Sequence, residues 1–443
     1  MRINHNVTAQ LANINLKKTN KRLTSSLESL SSGYKINSAA DDSAGLAISN
    51  KMRTQIRALE QSSRNAEDGT SIIQTAEGAL SEVTALLQRM RELSVQAAND
   101  TNTLEDRDAI QIEIDKLLEE VDRIGSTTEF NGNGLLDGSF TKVVTYDQNG
   151  LSTLFLSDEV KAGEYELTVV DKATPATLAV TYPSSGTIKI NDVSIEIEGD
   201  VQEKIQDVCD KMGIDADFTG ANNVTLTTRA TGSAQKITVG GDIPADSAAG
   251  TDAEITLTGG DLAAGDTKYS ADGKNIIVKS SSGFEMHIAV EDTAALGAAK
   301  VKVYDDGPMI LQVGANEHQN VGVTFPEISC RTLGLKETDG TSLVNICSQD
   351  GASKAISTFE NAVRTVSEAR SQLGAYQNRL DSTIDSLDVT SENLTGAMSR
   401  IIDTDMAAAM TNYTQESVLV QASTSILAQA NNRPQQILSL LQS

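Results

Sequence analysis

Rings are scarce in this chain: aromatics are 3% of 443 residues, with 8 Tyr, 7 Phe and no Trp. A large enzyme core usually holds more, and the length is too great for one compact core, so several structural units are expected. Positive charge is in deficit, 36 Lys and Arg against 61 Asp and Glu, for a net charge of −25. Such a surface repels phosphate backbones and anionic lipid heads, which removes nucleic acid and membranes as default partners. No apolar run is long enough to span a bilayer. The three cysteines, Cys209, Cys330 and Cys347, are odd in number and lack C-x-x-C spacing, so neither a paired disulfide framework nor a cysteine zinc site is expected. Cys330 and Cys347 could approach each other, but all three serve equally as small buried apolar residues. The only histidines are His5, His287 and His318. Glu285-Met286-His287 and Glu317-His318 do not form H-E-x-x-H, so no metal is expected. Phosphate-cradling and acyl-transfer motifs are absent, so no catalytic residue and no cofactor is expected. Glu119-Glu120-Val121-Asp122 and Asp305-Asp306 lack calcium-loop spacing and read as solvated faces. The first residues, MRINHNVTAQLANINLKK, hold no apolar h-region or small-residue cleavage site. That fits a cytosolic chain or export by a route that reads no cleaved peptide.

Few prolines, six in all, leave room for long helices, and apolar spacing places them at both ends. Ile73, Ala76, Leu80, Val83, Leu87, Met90 and Ala97 step by threes and fours, interrupted at Ser94: a heptad seam. Ile110, Ile114, Leu117, Val121 and Ile124 form a second, with capping oxygens at Asp100 and Thr101 to Thr103 between. A third runs Phe359, Val363, Val366, Leu373, Leu380, Ile384, Leu387, Leu394, Met398 and Ile401. Met406, Tyr413, Val420 and Leu427 recur by sevens, and Val7, Leu11, Ile14, Leu23, Leu27, Leu30 and Tyr34 mark the first segment. Between roughly 140 and 345 the pattern alternates. Tyr165–Val170, Thr187–Ile190 and Asn275–Lys279 read as strands with Gly, Asn and Asp turns, and one helix is expected near Val201 to Met212. Asp242 to Gly265 reads as loop or weak strand. The fold class is therefore α+β: long terminal coiled-coil helices form a bundle shaft, and a β-rich domain is inserted between them.

The terminal arms, 1 to about 40 and 402 to 443, carry thin apolar stripes. At about 25 cal/mol per Å² a narrow seam scarcely offsets an ordering cost of about 1–2 kcal/mol per residue. Two readings stand: arms that order only against other copies, or an ordinary hairpin at a domain edge.

The stretches LSSGYKINSAADDSAGLAI (30–48), QRMRELSVQAAN (88–99) and TEFNG (128–132) resemble bacterial flagellin. So do QVGANE (312–317), LGAYQNRL (373–380), SRIIDTDM (399–406) and QANNRPQQILSLL (429–441). The resemblance covers about 1–140 and 305–443, in order. GTIKIND (186–192), the helix near Val201 to Met212 and the strands at Val224–Thr227 and Ile237–Val239 look like the strand–helix–strand insert of flagellins and hook-associated proteins. Residues 242–304 carry none of these signature stretches.

The resemblance implies a structural subunit of the extracellular flagellar filament, acting in motility and exported unfolded. It implies three domains: 1–43 with 402–443 as a terminal coiled coil, disordered in the monomer and forming the inner tube; 44–173 with 305–401 as a helical bundle with β-hairpins; and 174–304 as a variable outer domain. Implied partners are copies of itself in a helical homopolymer, an export chaperone, cap and hook-junction proteins, host Toll-like receptor 5 and cytosolic flagellin sensors. Leu86 and Leu93 lie off the first seam beside Arg89 and Glu92, which suggests an exposed apolar stripe with polar flanks. By resemblance Arg89, Leu93 and Glu113, with Leu86, Glu92 and Gln96, contact both neighbouring subunits and the receptor. The bland alternative is an ordinary helix surface with an intramolecular ion pair. Ile437, Leu438, Leu440 and Leu441 form an amphipathic end implied in inner-tube packing and cytosolic sensing; the alternative is a frayed tail. Disulfides would hinder unfolded export, so all three cysteines are expected reduced. A hook–filament junction or cap protein is the competing function, and an enzyme or adhesin carried by 174–304 a third.

Overall fold

The computed structural model describes residues 6–442 except 158–159, 184, 192, 198–200, 221, 260–266, 281–283, 305–306 and 338–339; the side chains of 267–268, 272 and 434–442 are also left undescribed. Helices at both ends flank a β-rich middle. They are α1 (Val7–Ser32), α2 (Ser43–Ala97), α3 (Leu104–Thr127), α4 (Val201–Lys211), α5 (Gln349–Ile402) and α6 (Met406–Gln442). The chain divides into two compact units: 1–65 with 313–319 and 382–443, and 66–312 with 320–381.

In the first unit α1 and α6 lie against each other, and Asn6 Nδ2 donates to the Ala430 carbonyl at 3.0 Å. No residue of α1 is buried. Gly33 ends α1 in the left-handed conformation, φ 76°, where a Cβ would be strained. The connectors beyond then pair: Lys35 N donates to Ile402 O at 2.7 Å and Thr404 N to Gly33 O at 2.9 Å. Asp42 and Asp405 cap α2 and α6 by accepting from the first-turn amides of Ala44 and Gly45, and of Ala407 and Ala408.

In the second unit the expected seams form, with shifts. Along α2, Ile73, Ala76, Leu80, Val83, Leu87, Met90 and Ala97 are buried. Ser94 is buried too; its hydroxyl satisfies itself on the Met90 carbonyl at 2.9 Å, so it interrupts the apolar series but not the packing. On α3 the inward residues are Ile110, Ile114, Leu118, Val121 and Gly125. Leu118 and Gly125 replace the expected Leu117 and Ile124, because a straight 3.6-residue helix drifts from a strict heptad. On α5, Ala362 and Ala369 join Phe359, Val366, Leu373 and Leu380 inside, while Val363 is only half-buried. α2 and α5 run antiparallel here: Glu77 pairs with Arg370 and Arg91 with Glu360, each at 3.5 Å.

The middle holds two β cores. One lies between the sheet of Val143–Tyr146, Gly163–Asp171, Glu254–Gly259 and Gly297–Tyr304 and the sheet of Leu151–Leu156, Thr267–Asp272, Asn275–Ser280 and Glu285–Val290. Strand Gly163–Asp171 alternates, with Tyr165, Leu167 and Val169 inward, and these meet Ile255, Leu257 and Val301. This core joins residues on both sides of the expected 173/174 boundary. The other core gathers α4 (Ile205, Cys209) and the sheets containing Gly186–Ile190, Lys236–Gly241 and Asn223–Thr228. Cys347, at the approach to α5, belongs to that same cluster. The stretch expected as loop or weak strand contains strands Asp246–Ala249 and Glu254–Gly259.

Candidate protein-binding surface

The α2–α3 hairpin is locked by its turn. Thr103 caps α3 in a capping box, its hydroxyl accepting from Asp106 N at 3.2 Å while Asp106 Oδ2 accepts from Thr103 N at 3.0 Å. Four residues on, the buried Arg107 guanidinium turns back to the end of α2. Its Nε donates to Ala97 O at 2.9 Å and its Nη2 to Asn99 O at 3.3 Å, satisfying carbonyls the helix leaves open. The register so set places Arg89 opposite Glu113. Nη2 and Nε reach the same oxygen, Oε1, at 3.0 and 3.3 Å, and Nη1 lies 3.6 Å from Glu92. All three side chains are exposed, the Arg89 guanidinium side chain by 51%. Water and salt screen such a pair, so its geometry presents charges rather than holding the fold together.

The six residues singled out on this hairpin do not all reach solvent. Arg89, Glu92, Gln96 and Glu113 are exposed. Leu86 is half-buried, in a shallow pocket with Glu82, Arg123 and Ile124. Leu93 is 2% exposed, which overturns the expected outward stripe of two leucines. The reason is the number of neighbours. α2 meets α3 on one side, through Arg89 and Glu113, and α5 on another, through Arg91 and Glu360. A helix with two neighbours buries a wider arc than a coiled-coil seam, and that arc takes in both Leu93 and Ser94. The surface is therefore polar, with Leu93 as its floor. The Arg89–Glu113 contact within one chain is also what the bland reading expected. Ile437, Leu438, Leu440 and Leu441 lie on α6 with side chains outside the described residues; His5 and Asp305-Asp306 lie outside them altogether.

Sequence spacing missed two polar nodes. Asp122 on α3 accepts from the Cys330 amide at 2.7 Å and from Lys336 Nζ at 3.0 Å, and Cys330 Sγ donates to Leu118 O at 3.1 Å. Burial raises the Asp122 carboxyl, but the bonds from Cys330 and Lys336 outweigh it and hold it below its usual range. Lys274 sits buried between Glu337 Oε2 at 2.8 Å and Asp292 Oδ2 at 3.1 Å. Glu337 Oε1 also accepts from the amide and hydroxyl of Thr231 at 2.9 and 3.0 Å. These partners are far apart in sequence, so no motif announces them. Among the described residues no group of three or more His, Cys, Asp or Glu gathers as a metal site. A polar cleft of about 770 Å³ includes Asn191, Lys236, Asn345 and Lys354 in its lining, but no histidine. Lys354 is already engaged by Ala234 O and Asp350.

The comparisons with known proteins give a family. The pattern of the bacterial flagellin N-terminal helical region matches residues 3–141, and that of the C-terminal helical region matches 356–441. A flagellin of Clostridium tyrobutyricum is 37% identical over 98% of this chain and 100% of its own length. The chain belongs to the bacterial flagellin family. A Salmonella typhimurium flagellin is 34% identical over 99% of both chains, and the flagellar filament 31.3 kDa core protein of Treponema maltophilum 30% identical over 100% of both. A solved flagellar hook associated protein-3 from Legionella pneumophila covers 80% of this flagellin-family chain and 98% of its own, at 13% identity and a TM-score of 0.32, too low an overlap to argue from.

Proposed function

We propose that this chain polymerises with copies of itself into the extracellular filament of a bacterial flagellum and so serves swimming motility. The observation that carries the reading is the first unit's terminal helix pair. No residue of α1 is fully buried, and Val7, Leu11, Ile14 and Leu27, with Met406, Met410, Val418, Leu419 and Ile426 on α6, stay exposed. Helices so apolar at their surface need further helices, and repeated head-to-tail contact that does not close makes an open helical polymer. In that polymer 1–43 and 402–443 form the inner tube and the helices of 44–173 and 305–401 the surrounding shell, while the outward domain takes in 174–304 together with the strands before residue 173 that share its core. Export unfolded through the flagellar secretion machinery, with a chaperone, suits a core whose three thiols are unpaired. Cap and hook-junction proteins are partners at the filament ends.

Arg89, Glu92, Gln96 and Glu113 are the charges and amide through which the hairpin meets a subunit neighbour, or Toll-like receptor 5 in the monomer, with Leu86 at the edge and Leu93 beneath. Ile437, Leu438, Leu440 and Leu441 serve inner-tube packing and cytosolic sensing. The test is seeded assembly followed by negative-stain microscopy. Full-length protein grows long uniform tubes and a chain ending at Arg433 does not; normal tubes from the shortened chain refute the terminal role. Immunogold labelling along the whole filament, rather than in one ring near the hook, separates a filament subunit from a junction or cap protein. For the receptor, Arg89→Ala with Glu113→Ala weakens ectodomain binding at unchanged melting temperature, and equal affinity refutes that role.

A further inference from the structure

One stretch of α1 and one stretch near the end of α5 each carry charge of one sign, bounded by Glu28 on α1 and by Arg400 on α5. Residues 7–27 include Lys17, Lys18, Lys21 and Arg22 and no acid, on a chain whose net charge is −25. All four are exposed, and among the described residues no ion pair engages them. On α5, residues 382–399 include Asp385, Asp388 and Glu392 and no Lys or Arg. All three residues are exposed; among the described residues no ion pair engages them, and Asp388 accepts from the Ser63 hydroxyl at 3.3 Å. Some other acids of α2, α3 and α5 find cations on their own helix, as in Arg89–Glu92, Lys116–Glu119, Arg123–Glu120 and Arg364–Glu368.

Helical spacing places each set on one face. Lys17 and Lys21, and Lys18 and Arg22, are four apart; Asp385, Asp388 and Glu392 step by three and four. Like charges at that spacing destabilise a helix, so both faces carry a cost that a partner of opposite sign removes. At 1.5 Å rise per residue the basic face spans roughly 8 Å and the acidic face roughly 10 Å, so one fits along the other. We propose that the basic face of α1 docks on the Asp385–Asp388–Glu392 face of α5 in a second copy of this chain. Every copy supplies both halves, and among the described residues no ion pair engages either half within its own chain, so the contact repeats head to tail without closing. An acidic neighbour also suits a protein whose overall charge repels nucleic acid and anionic lipid.

This contact rests on the filament reading, and the experiment separates the two. The critical concentration for unseeded assembly is measured by sedimentation at about 20 mM and about 0.5 M NaCl, where the screening length falls from roughly 20 Å to a few Å. Replacing Lys17, Lys18, Lys21 and Arg22 by Glu raises it roughly tenfold at low salt, and the gap to wild type narrows below about twofold at high salt. Replacing Asp385, Asp388 and Glu392 by Lys does the same. Combining both sets in one chain restores assembly. Unchanged assembly in either single set overturns the contact, as does loss without rescue in a combined chain whose helix content by circular dichroism is intact. Vesicles of phosphatidylglycerol are the control occupant: if reversal of α1 abolishes vesicle binding but leaves the critical concentration unchanged, the face is a lipid surface and the contact is wrong. Wild type that never forms filaments sinks the filament reading along with it.

Discussion

Two residues show how little tolerance the second unit has. Gly125 on α3 faces Ile328, and a Cβ there would meet the Ile328 carbonyl oxygen at 1.9 Å. Backbone cannot yield as a flexible side chain can, so Gly125→Ala is expected to cost about 1–3 kcal/mol despite alanine's better helix propensity. A Cβ at Gly78 on α2 would meet nothing within 4 Å, so Gly78→Ala is the control and gains about 0.5–1 kcal/mol. Denaturant titration of the pair checks both signs. Lys274 is the second case. Lys274→Met leaves Glu337, with a 2% exposed side chain, without its buried cation. A loss of about 3–5 kcal/mol is expected, and adding Glu337→Gln to the same chain recovers part of it. Full retention of stability in Lys274→Met would show that Thr231 alone satisfies the carboxylate.

Elements are joined in this fold by single polar contacts laid over apolar seams. The segment carrying Cys330 and Lys336 is tied to α3 by Asp122. Its carboxyl is held below the usual value in the folded chain, so the tie contributes stability above the ordinary carboxyl value of about pH 4 and loses it as pH falls through the depressed folded value. Stability curves of wild type and Asp122→Asn should thus diverge above about pH 4 and converge in stronger acid. Partial exposure of Asp122 limits the gap to about 1 kcal/mol. Curves that stay parallel at every pH would remove the electrostatic account. The α2–α3 turn works similarly. Its cap was legible as capping oxygens at Asp100 and Thr101 to Thr103, of which the fold uses Thr103 with Asp106, whereas Arg107 reads as a surface charge until the fold lays it over Ala97 and Asn99.

The whole molecule decides what its thiols can do. Cys209 and Cys347 share one apolar core, while Cys330, in the segment before α5, bonds to Leu118 and Asp122 of α3. All are free and buried, and burial pushes Cys209 and Cys347 up to about 12 and Cys330 up as well. Thiolate is the reactive form, so native protein at pH 8 should leave all three unmodified by iodoacetamide, and unfolded protein should lose all three, as read by mass spectrometry. Modification of one thiol in the native state would expose a local opening of its core.

Helix and strand were readable from local repetition. The α2 seam from Ile73 to Ala97 and the alternation of Tyr165, Leu167 and Val169 follow from periods of 3.6 and 2, which any stretch displays on its own. The family signatures were readable for the same reason, as contiguous stretches. Contacts between distant segments were not. Leu93 went inside because α2 has two neighbours, Leu118 displaced Leu117 because a helix drifts against a heptad, and Lys274 found Glu337 only when two loops met. A sequence records which face of an element is apolar; how wide a face is covered depends on how many elements arrive, and that is settled only when the chain has folded.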